Sequence, residues 1–446
     1  MTSAPHTTPR GHERERAGAP STGTGIGTGI GTAHGVAVVA IALVTIVSVV
    51  SWRTGAIFDG GIDGVVIAKA ALAATALAGA IATRMLSRSR HPLGERAILV
   101  LVLVLGVALV GALASGNAVA SGIVTVRIAV LAAIVLVLLS CTPWRFVLGA
   151  ILAAMGSVAV VAAVTGAPSY PATGRLAGGI PEVQENELAG LAALPLLALV
   201  VLLIRRGVRW WLVTPAAVLA AILWATQSRT ALLALGLAVV VAFVVAQRVH
   251  WTAIVLVLAS IPVGYATLAF TSLVRDLLIR DQTAAEIASL SARTDAWKVV
   301  LDWDLLSWER WIGLGLSVKQ IQVDLPFRDV QVFDSSWVSL LAQAGVVGTL
   351  VFAGWMVVSF ADAARDVAAR PLVIPLLVLL FVRGFTENGL LDASPAFLIV
   401  FCLAAAVEPA AHREPVLGAV PTAPPFARSP ARFTPLTPST PRGATP

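Results

Sequence analysis

Three arginines in short polar segments between apolar runs have the chemistry to hold an anion: Arg175 in Gly174-Arg175-Leu176-Ala177-Gly178-Gly179, Arg229 in Ser228-Arg229-Thr230, and Arg293 in Ser291-Ala292-Arg293-Thr294-Asp295. A planar guanidinium binds phosphate oxygens through two parallel hydrogen bonds, each charge-assisted contact worth about 1.5–3 kcal/mol. Several converging arginines therefore suit a diphosphate. Two carboxylates are placed in the chain to accept a proton near such a group: Asp334, before Ser335-Ser336-Trp337, and, as the lesser candidate, Glu187 in Glu185-Asn186-Glu187. Partial burial would raise either toward a useful range. Asp334 has an equal claim to a plainer role, capping the helix that follows.

Other charges read differently. Arg127 and Arg383 stand inside apolar runs, where a guanidinium costs roughly 2.5–3.5 kcal/mol, so each is expected to have a specific supporting role. Arg383 and Glu387 are spaced to pair on one helical face. Arg53, Arg280, Arg310 and Arg328 are read as interfacial or locally paired arginines, and any single arginine of the first group has that same bland alternative. The Gly-rich turn around Arg175 would let backbone approach a ligand, and Ser228 is a reasonable helix N-cap.

These residues must be carried by a membrane protein. Of 446 residues, 58% are hydrophobic and only 12% charged, with mean hydropathy +0.89, far too little charge for a soluble surface of that size. The expected class is an all-α polytopic integral membrane protein of about 12 transmembrane helices, centred near Val44, Leu72, Val104, Leu131, Gly156, Leu196, Val218, Val239, Leu258, Val347, Val378 and Ile399, with one large outer-face loop. Residues 1–33 and the Pro-rich 410–446 are expected to be disordered cytoplasmic tails, leaving 34–409 as the membrane domain. The first apolar run reads as a retained span, not a removable leader.

A cytoplasmic N-terminus puts Arg84, Arg88, Arg90, Arg96, Arg145, Arg205, Arg206, Arg209, Arg248, Arg365 and Arg370 on the inner face, as the positive-inside rule requires. That bias accounts for most of the net charge of +7, and no nucleic-acid partner is implied. The same topology sends residues 166–187, the turn at 227–230, the loop 273–334 and the turn at 386–388 to the outer face. The loop 273–334 is expected to be partly helical, with an amphipathic stretch from Arg293 to Trp311; Trp297, Trp303, Trp308 and Trp311 read mainly as interfacial anchors. Lys69, Lys298 and Lys319 are the only lysines. The two cysteines suit neither a disulfide framework nor a thiolate site. No metal or cofactor is expected, and the outer segments hold no histidine cluster.

The order of motifs, Arg175-x2-Gly178 with Asn186-Glu187-Leu188-Ala189, Ser228-Arg229-Thr230-Ala231, Arg293-x3-Trp297, Gly313-x-Gly315, and Asp334-x2-Trp337 with Gly345-Val346-Val347-Gly348, resembles the O-antigen ligase and polymerase superfamily over roughly residues 127–397. The resemblance implies an enzyme of the cytoplasmic (inner) bacterial membrane that transfers or polymerises oligosaccharide from a polyprenyl-diphosphate carrier on the outer face. Its partners would be that donor, a glycan or lipid-glycan acceptor and membrane lipid. It assigns Arg175, Arg229 and Arg293 to the diphosphate. Where lipopolysaccharide ligases have a histidine, eleven residues before Gly345, this chain has Asp334, which leans the reading toward a polymerase-like member or a ligase with an unusual acceptor.

Two rivals remain on the sequence alone. A lipid-linked oligosaccharide flippase would also carry arginines for a diphosphate, but should show cations along a cavity open to both sides and an internal repeat. A peptidoglycan-type glycan polymerase would differ in acting on a disaccharide-peptide lipid.

Overall fold

The computed structural model describes residues 31–53, 61, 63–252, 296–325 and 328–409. Residues 1–30 of the expected N-terminal tail, the tail 410–446, the span expected at Leu258 and the first part of the 273–334 loop, with Arg275, Arg280 and Arg293, lie outside the described residues; the last two residues of the expected tail 1–33 are already helical, because α1 begins at Thr32.

The chain folds mostly as helices: α1 (Thr32–Val49), α2 (Gly64–Leu86), α3 (Arg96–Ala114), α4 (Ala118–Leu139), α5 (Trp144–Gly166), the short α6 (Tyr170–Thr173), α7 (Glu185–Arg206), α8 (Trp210–Thr226), α9 (Arg229–Val245), the short α10 (Trp308–Ile312), α11 (Ser336–Arg365), α12 (Arg370–Arg383) and α13 (Pro395–Val407). Long runs of Ala, Val, Leu and Ile satisfy their backbone internally, the condition for crossing hydrocarbon. Seven helices are long and apolar enough to do so, namely α1 to α5, α7 and α11. Every expected span centre among the described residues falls on a helix, but α8 and α9 have 17 residues, α12 has 14 and α13 has 13. At about 1.5 Å per residue these are shorter than a roughly 30 Å hydrocarbon core, so among the described residues seven helices meet the length criterion and the expected count of about 12 is not reached there.

One element departs from the all-α expectation. β1 (Gln320–Leu325) and β2 (Arg328–Val332) pair antiparallel, Gln320 opposite Val332, with an irregularity between Gln322 and Leu325. The hairpin lies in the loop expected to be partly helical. The helical stretch expected from Arg293 to Trp311 is likewise interrupted: residues 296–301 are helical and the chain then turns before α10. Arg310 holds that turn by donating to the carbonyls of Leu301 and Trp303, and Trp311 Nε1 donates to Leu305 O at 2.8 Å. A small core of Val300, Phe333 and Ala342 packs the loop onto the start of α11.

The bundle has two chemically different ends. At one, Arg96 pairs with Asp362, Arg365 lies 3.4 Å from the same carboxylate, and Arg145 donates to Ala368 O at 3.0 Å. Glu408 there accepts the backbone N–H groups of Arg96 and Ala97, putting a negative charge on the positive terminus of α3. This basic end holds the described histidines His34, His91 and His250, which bond Thr142, the Ser140 carbonyl and Thr252 respectively. The opposite end gathers the start of α7, the α8–α9 turn and the α12–α13 turn.

α11 does not run straight into that end. Gly345 has φ 65° and ψ −170°, which breaks the helix. The break is filled by the chain at Gly313-Leu314-Gly315, where the N–H groups of Leu314 and Gly315 donate to the carbonyls of Ala342 and Gln343 at 2.8 and 3.0 Å. A β-carbon on Gly345 would stand 2.3 Å from the Trp311 carbonyl, and one on Gly313 would stand 2.4 Å from the Gln343 backbone. The crossing is tied to α3 and α4 by Ser115 Oγ on Leu314 O and by Ser121 Oγ against Ser317 Oγ, both at 2.8 Å. Gly345→Ala should therefore lower thermal stability in detergent, by about 1–2 kcal/mol for the backbone alone and more for the clash. Gly354→Ala, with open space around it on the same helix, should be neutral or stabilising by up to about 1 kcal/mol. Equal melting temperatures for the two variants would contradict the crossing.

Candidate functional site

Arg175 is set by the loop between α6 and α7. Gly174 ends α6 in a left-handed turn at φ 66°, and Leu176 N donates to Ala225 O at 2.9 Å, which fastens the loop to the last turn of α8. The half-buried Arg175 side chain then reaches back over the same helix end. Its Nε donates to Thr226 O at 3.2 Å and its terminal nitrogen to Asn186 Oδ1 at 3.4 Å. The α8–α9 turn that receives it passes through Gln227, at φ 51°, to Ser228 and Arg229, so Arg175 lies against the turn that carries Arg229. Ser228 occupies the N-cap position of α9 without a side-chain capping bond. Gly178 and Gly179, expected to admit a ligand, instead approach protein: Gly178 lies against Val183 and Gly179 against Thr165. Arg293 lies outside the described residues.

Arg383, at the end of α12, crosses α7. A β-carbon on Gly190 would overlap the guanidinium, so a glycine is required where the arginine passes, and Arg383 donates to the carbonyl of Asn186. Arg175 and Arg383 thus meet the same asparagine through different atoms. Next to it, Glu187 accepts the Ser51 N–H at 2.9 Å and stands within electrostatic reach of Arg383 and Lys69. Of the expected Arg383 and Glu387 pair only the helical face is corrected, because α12 ends at Arg383. Glu387 follows in a turn, its N–H on Arg383 O at 2.9 Å, and the two charges remain in electrostatic reach.

Asp334 does not occupy the cap position. Ser335 does, accepting Val338 N at 3.5 Å, with Asp334 one residue ahead. Ser336 pins this start of α11 to the α12–α13 turn: its N–H bonds Gly384 O and Glu387 O at 2.8 and 3.1 Å, and its Oγ donates to Glu387 O at 2.7 Å. Half-buried Asp334 is thereby held at the end where Arg383 and Glu387 stand.

Four further charges belong to this end. Lys319 Nζ lies 2.7 Å from Asp392 Oδ2, with only 11% and 29% of the two side chains exposed. Arg127, inside α4, and Lys69, on α2, are both within electrostatic reach of Asp392 and of each other. Lys69 also faces the Trp52 ring at 5.9 Å and reaches toward Glu187. Lys69, Lys319 and Asp392 were missed as site residues from sequence. A signal existed: in a chain with 31 Lys and Arg, two of the three lysines stand at this one spot. The paired arginine expectation holds for Arg53, which bridges Asp63 at 2.8 Å at the surface. An Asp-x-Asp spacing, overlooked in the expectation of no metal, occurs at Asp302 and Asp304; Asp304 Oδ1 accepts Leu306 N at 2.9 Å and closes a turn.

Seven helices among the described residues long and apolar enough to cross a membrane indicate a multi-pass membrane protein. Residues 215–353 match the family model described as O-antigen ligase, and the match supports the O-antigen ligase/polymerase superfamily and a glycan-transferring function of that general type. The matched stretch runs from Pro215 on α8 to Ala353 on α11 and includes Arg229, Asp334 and the Gly345 break; Arg175, Glu187 and Arg383 lie outside it. No curated protein matches the chain.

The Lys319–Asp392 pair carries a pH signature. Burial pushes the Asp392 carboxyl up, but the adjacent Lys319 ammonium, the Ala393 N–H and Arg127 outweigh it and hold the group below the usual carboxylate range. Its stabilising contribution is therefore complete above the unfolded value near about 4 and is lost as pH falls through the folded one. Asp392→Asn should cost about 1–3 kcal/mol at neutral pH, and its deficit relative to wild type in thermal unfolding should shrink below about pH 4. A deficit that stays constant from pH 7 to pH 3 would rule out a charged pair.

Proposed function

We propose that the protein is a membrane glycosyltransferase of the O-antigen ligase/polymerase type, which transfers or polymerises oligosaccharide from a polyprenyl-diphosphate carrier at the outer face of the bacterial cytoplasmic membrane, with both termini cytoplasmic. The observation that carries this reading is the meeting of Arg175 with the turn that bears Arg229, beside Asn186 and Arg383, at the end opposite the basic loops. Arginines clustered against the topology signal need an anionic partner, and a lipid diphosphate supplies one at that depth.

In the proposed reaction an acceptor hydroxyl oxygen attacks the anomeric carbon of the donor sugar. The bond from that carbon to the diphosphate oxygen breaks, its electron pair stays on the diphosphate, and the anomeric centre inverts. Arg175, Arg229 and Arg293 stabilise the charge that grows on the leaving oxygen. Asp334 takes the hydroxyl proton as general base. Glu187 acts as the counter-ion of Arg383 and Lys69, a role supported by its Ser51 hydrogen bond and by the two cations within reach. The arginines supply the cationic stabilisation, and the reaction is proposed as metal-independent.

In cells lacking the gene, plasmids encoding Arg175→Ala or Arg229→Ala should restore less than about a tenth of the surface glycan polymer at equal protein level, the loss of one charge-assisted contact being worth about 1.5–3 kcal/mol. Full-length polymer from both variants would defeat the diphosphate assignment. Asp334→Asn should reduce polymer by about 100-fold or more; near-normal polymer would remove Asp334 as the base while leaving the diphosphate site standing.

A further inference from the structure

α1 and α5 both begin at the basic end of the bundle, and their starts are tied together. His34 Nε2 and Thr142 Oγ1 share a hydrogen bond of 2.9 Å, one residue before the Pro143 that leads into α5. Between α1 and the start of α5 lies a groove of about 1020 Å³, lined mostly by apolar side chains. Gly31, Gly35, Val39 and Leu43, spaced four apart along one face of α1, form one wall, and Arg145 and Phe146 of α5 belong to the other.

The mouth of this groove is positive. Two helix starts meet there, and among the described residues neither has a side-chain cap or an acidic residue in its first turn to offset its dipole. The exposed Arg145 adds a full charge: it faces the Trp144 ring at 5.3 Å and donates to the Ala368 carbonyl at 3.0 Å, but among the described residues it forms no ion pair. The α2–α3 loop holds the exposed Arg88 and Arg90 beside the same turn, since Ser87 Oγ donates to Cys141 O at 3.5 Å and His91 N to Ser140 O at 2.9 Å. Such a mouth attracts an anion.

The dimensions decide which anion. A free phosphate would fill little of a groove as large as the biggest small-molecule sites, which reach roughly 1,000 Å³. Leu43 comes 12 residues after Gly31, about 18 Å along the helix axis, close to half of a roughly 30 Å hydrocarbon core. A membrane-crossing helix of a partner would need the whole core; a lipid of one leaflet needs half.

We infer that this groove binds one anionic phospholipid of the leaflet at the basic end, with an acyl chain along Gly35, Val39 and Leu43 and the phosphate between Arg145 and the starts of α1 and α5. The site is separate from the Arg175 and Arg229 end and does not depend on the glycosyltransferase reading. A second apolar groove of about 760 Å³, between α5, α7 and α8, makes the contrast, because among the described residues no charged side chain lines it.

The test is titration of the purified full-length protein in detergent with phosphatidylglycerol or phosphatidylcholine of equal chain length, read by native mass spectrometry. The first phosphatidylglycerol should bind wild type about 10-fold or more tightly than the first phosphatidylcholine, a result independent of how any variant folds; equal affinities overturn the proposal. Arg145→Gln should bring phosphatidylglycerol down to the level of phosphatidylcholine, and Arg145→Lys should keep the preference. Val39→Trp, which fills the groove, should weaken the first phosphatidylglycerol about 10-fold or more, whereas Val161→Trp in the uncharged groove should leave it unchanged. A preference that survives both Arg145→Gln and Val39→Trp would place the lipid elsewhere and overturn the site. A dimer that Val39→Trp dissociates, with no preference for phosphatidylglycerol, would assign the groove to a second copy of the chain and likewise overturn it.

Discussion

The site depends on one interaction: the passage of the Arg383 guanidinium across α7 at Gly190, onto the carbonyl of Asn186. A charge in an apolar bundle must be met by dipoles and counter-charges or it unfolds its surroundings. Here Arg383 is met by Asn186, Glu187 and Glu387, and those partners fix the start of α7 relative to the α12–α13 turn. Arg175 adds to the same asparagine from the other side. The requirement to satisfy this half-buried cation thus draws together residues 4 to 197 positions from it in the chain, from Glu387 to Asn186.

A second constraint acts on the backbone. α11 is interrupted where it meets the site end, and an interruption leaves carbonyls that a membrane cannot solvate. The Gly313-Leu314-Gly315 segment supplies the missing donors, while Ser115 and Ser121 anchor it to α3 and α4. The loop before α11 is therefore part of the bundle at this point, and the short first segment of α11 with Asp334 ahead of it is held against the α12–α13 turn through Ser336. The same contacts that repair the helix position the carboxylate.

Much of this was legible in the chain. Apolar runs located the helices, because a 20-residue demand for hydrocarbon burial leaves a plain pattern. The arginines set against the positive-inside rule pointed to Arg175 and to Arg229, since the cost of misplacing a cation is written in the sequence. What was not legible came from contacts between distant segments. The break at Gly345 reads locally as one more glycine in a helix, and the hairpin at 320–332 is set by its packing over Val300 and Phe333. Ser335 took the cap position that Asp334 could equally have filled, a choice that depends on where α11 is pinned. Lys69 and Asp392 stand 323 positions apart, and nothing in either local sequence announces the other.

The central claim is that the donor diphosphate binds at the Arg175 and Arg229 end of the bundle. The most direct measurement is photo-crosslinking with a polyprenyl diphosphate carrying a photoreactive group next to the phosphates, followed by peptide mapping. The account predicts labelled peptides from residues 166–187 and from the 227–230 turn. Label confined to the basic end, around Arg96, Arg145 and Arg365, would contradict it.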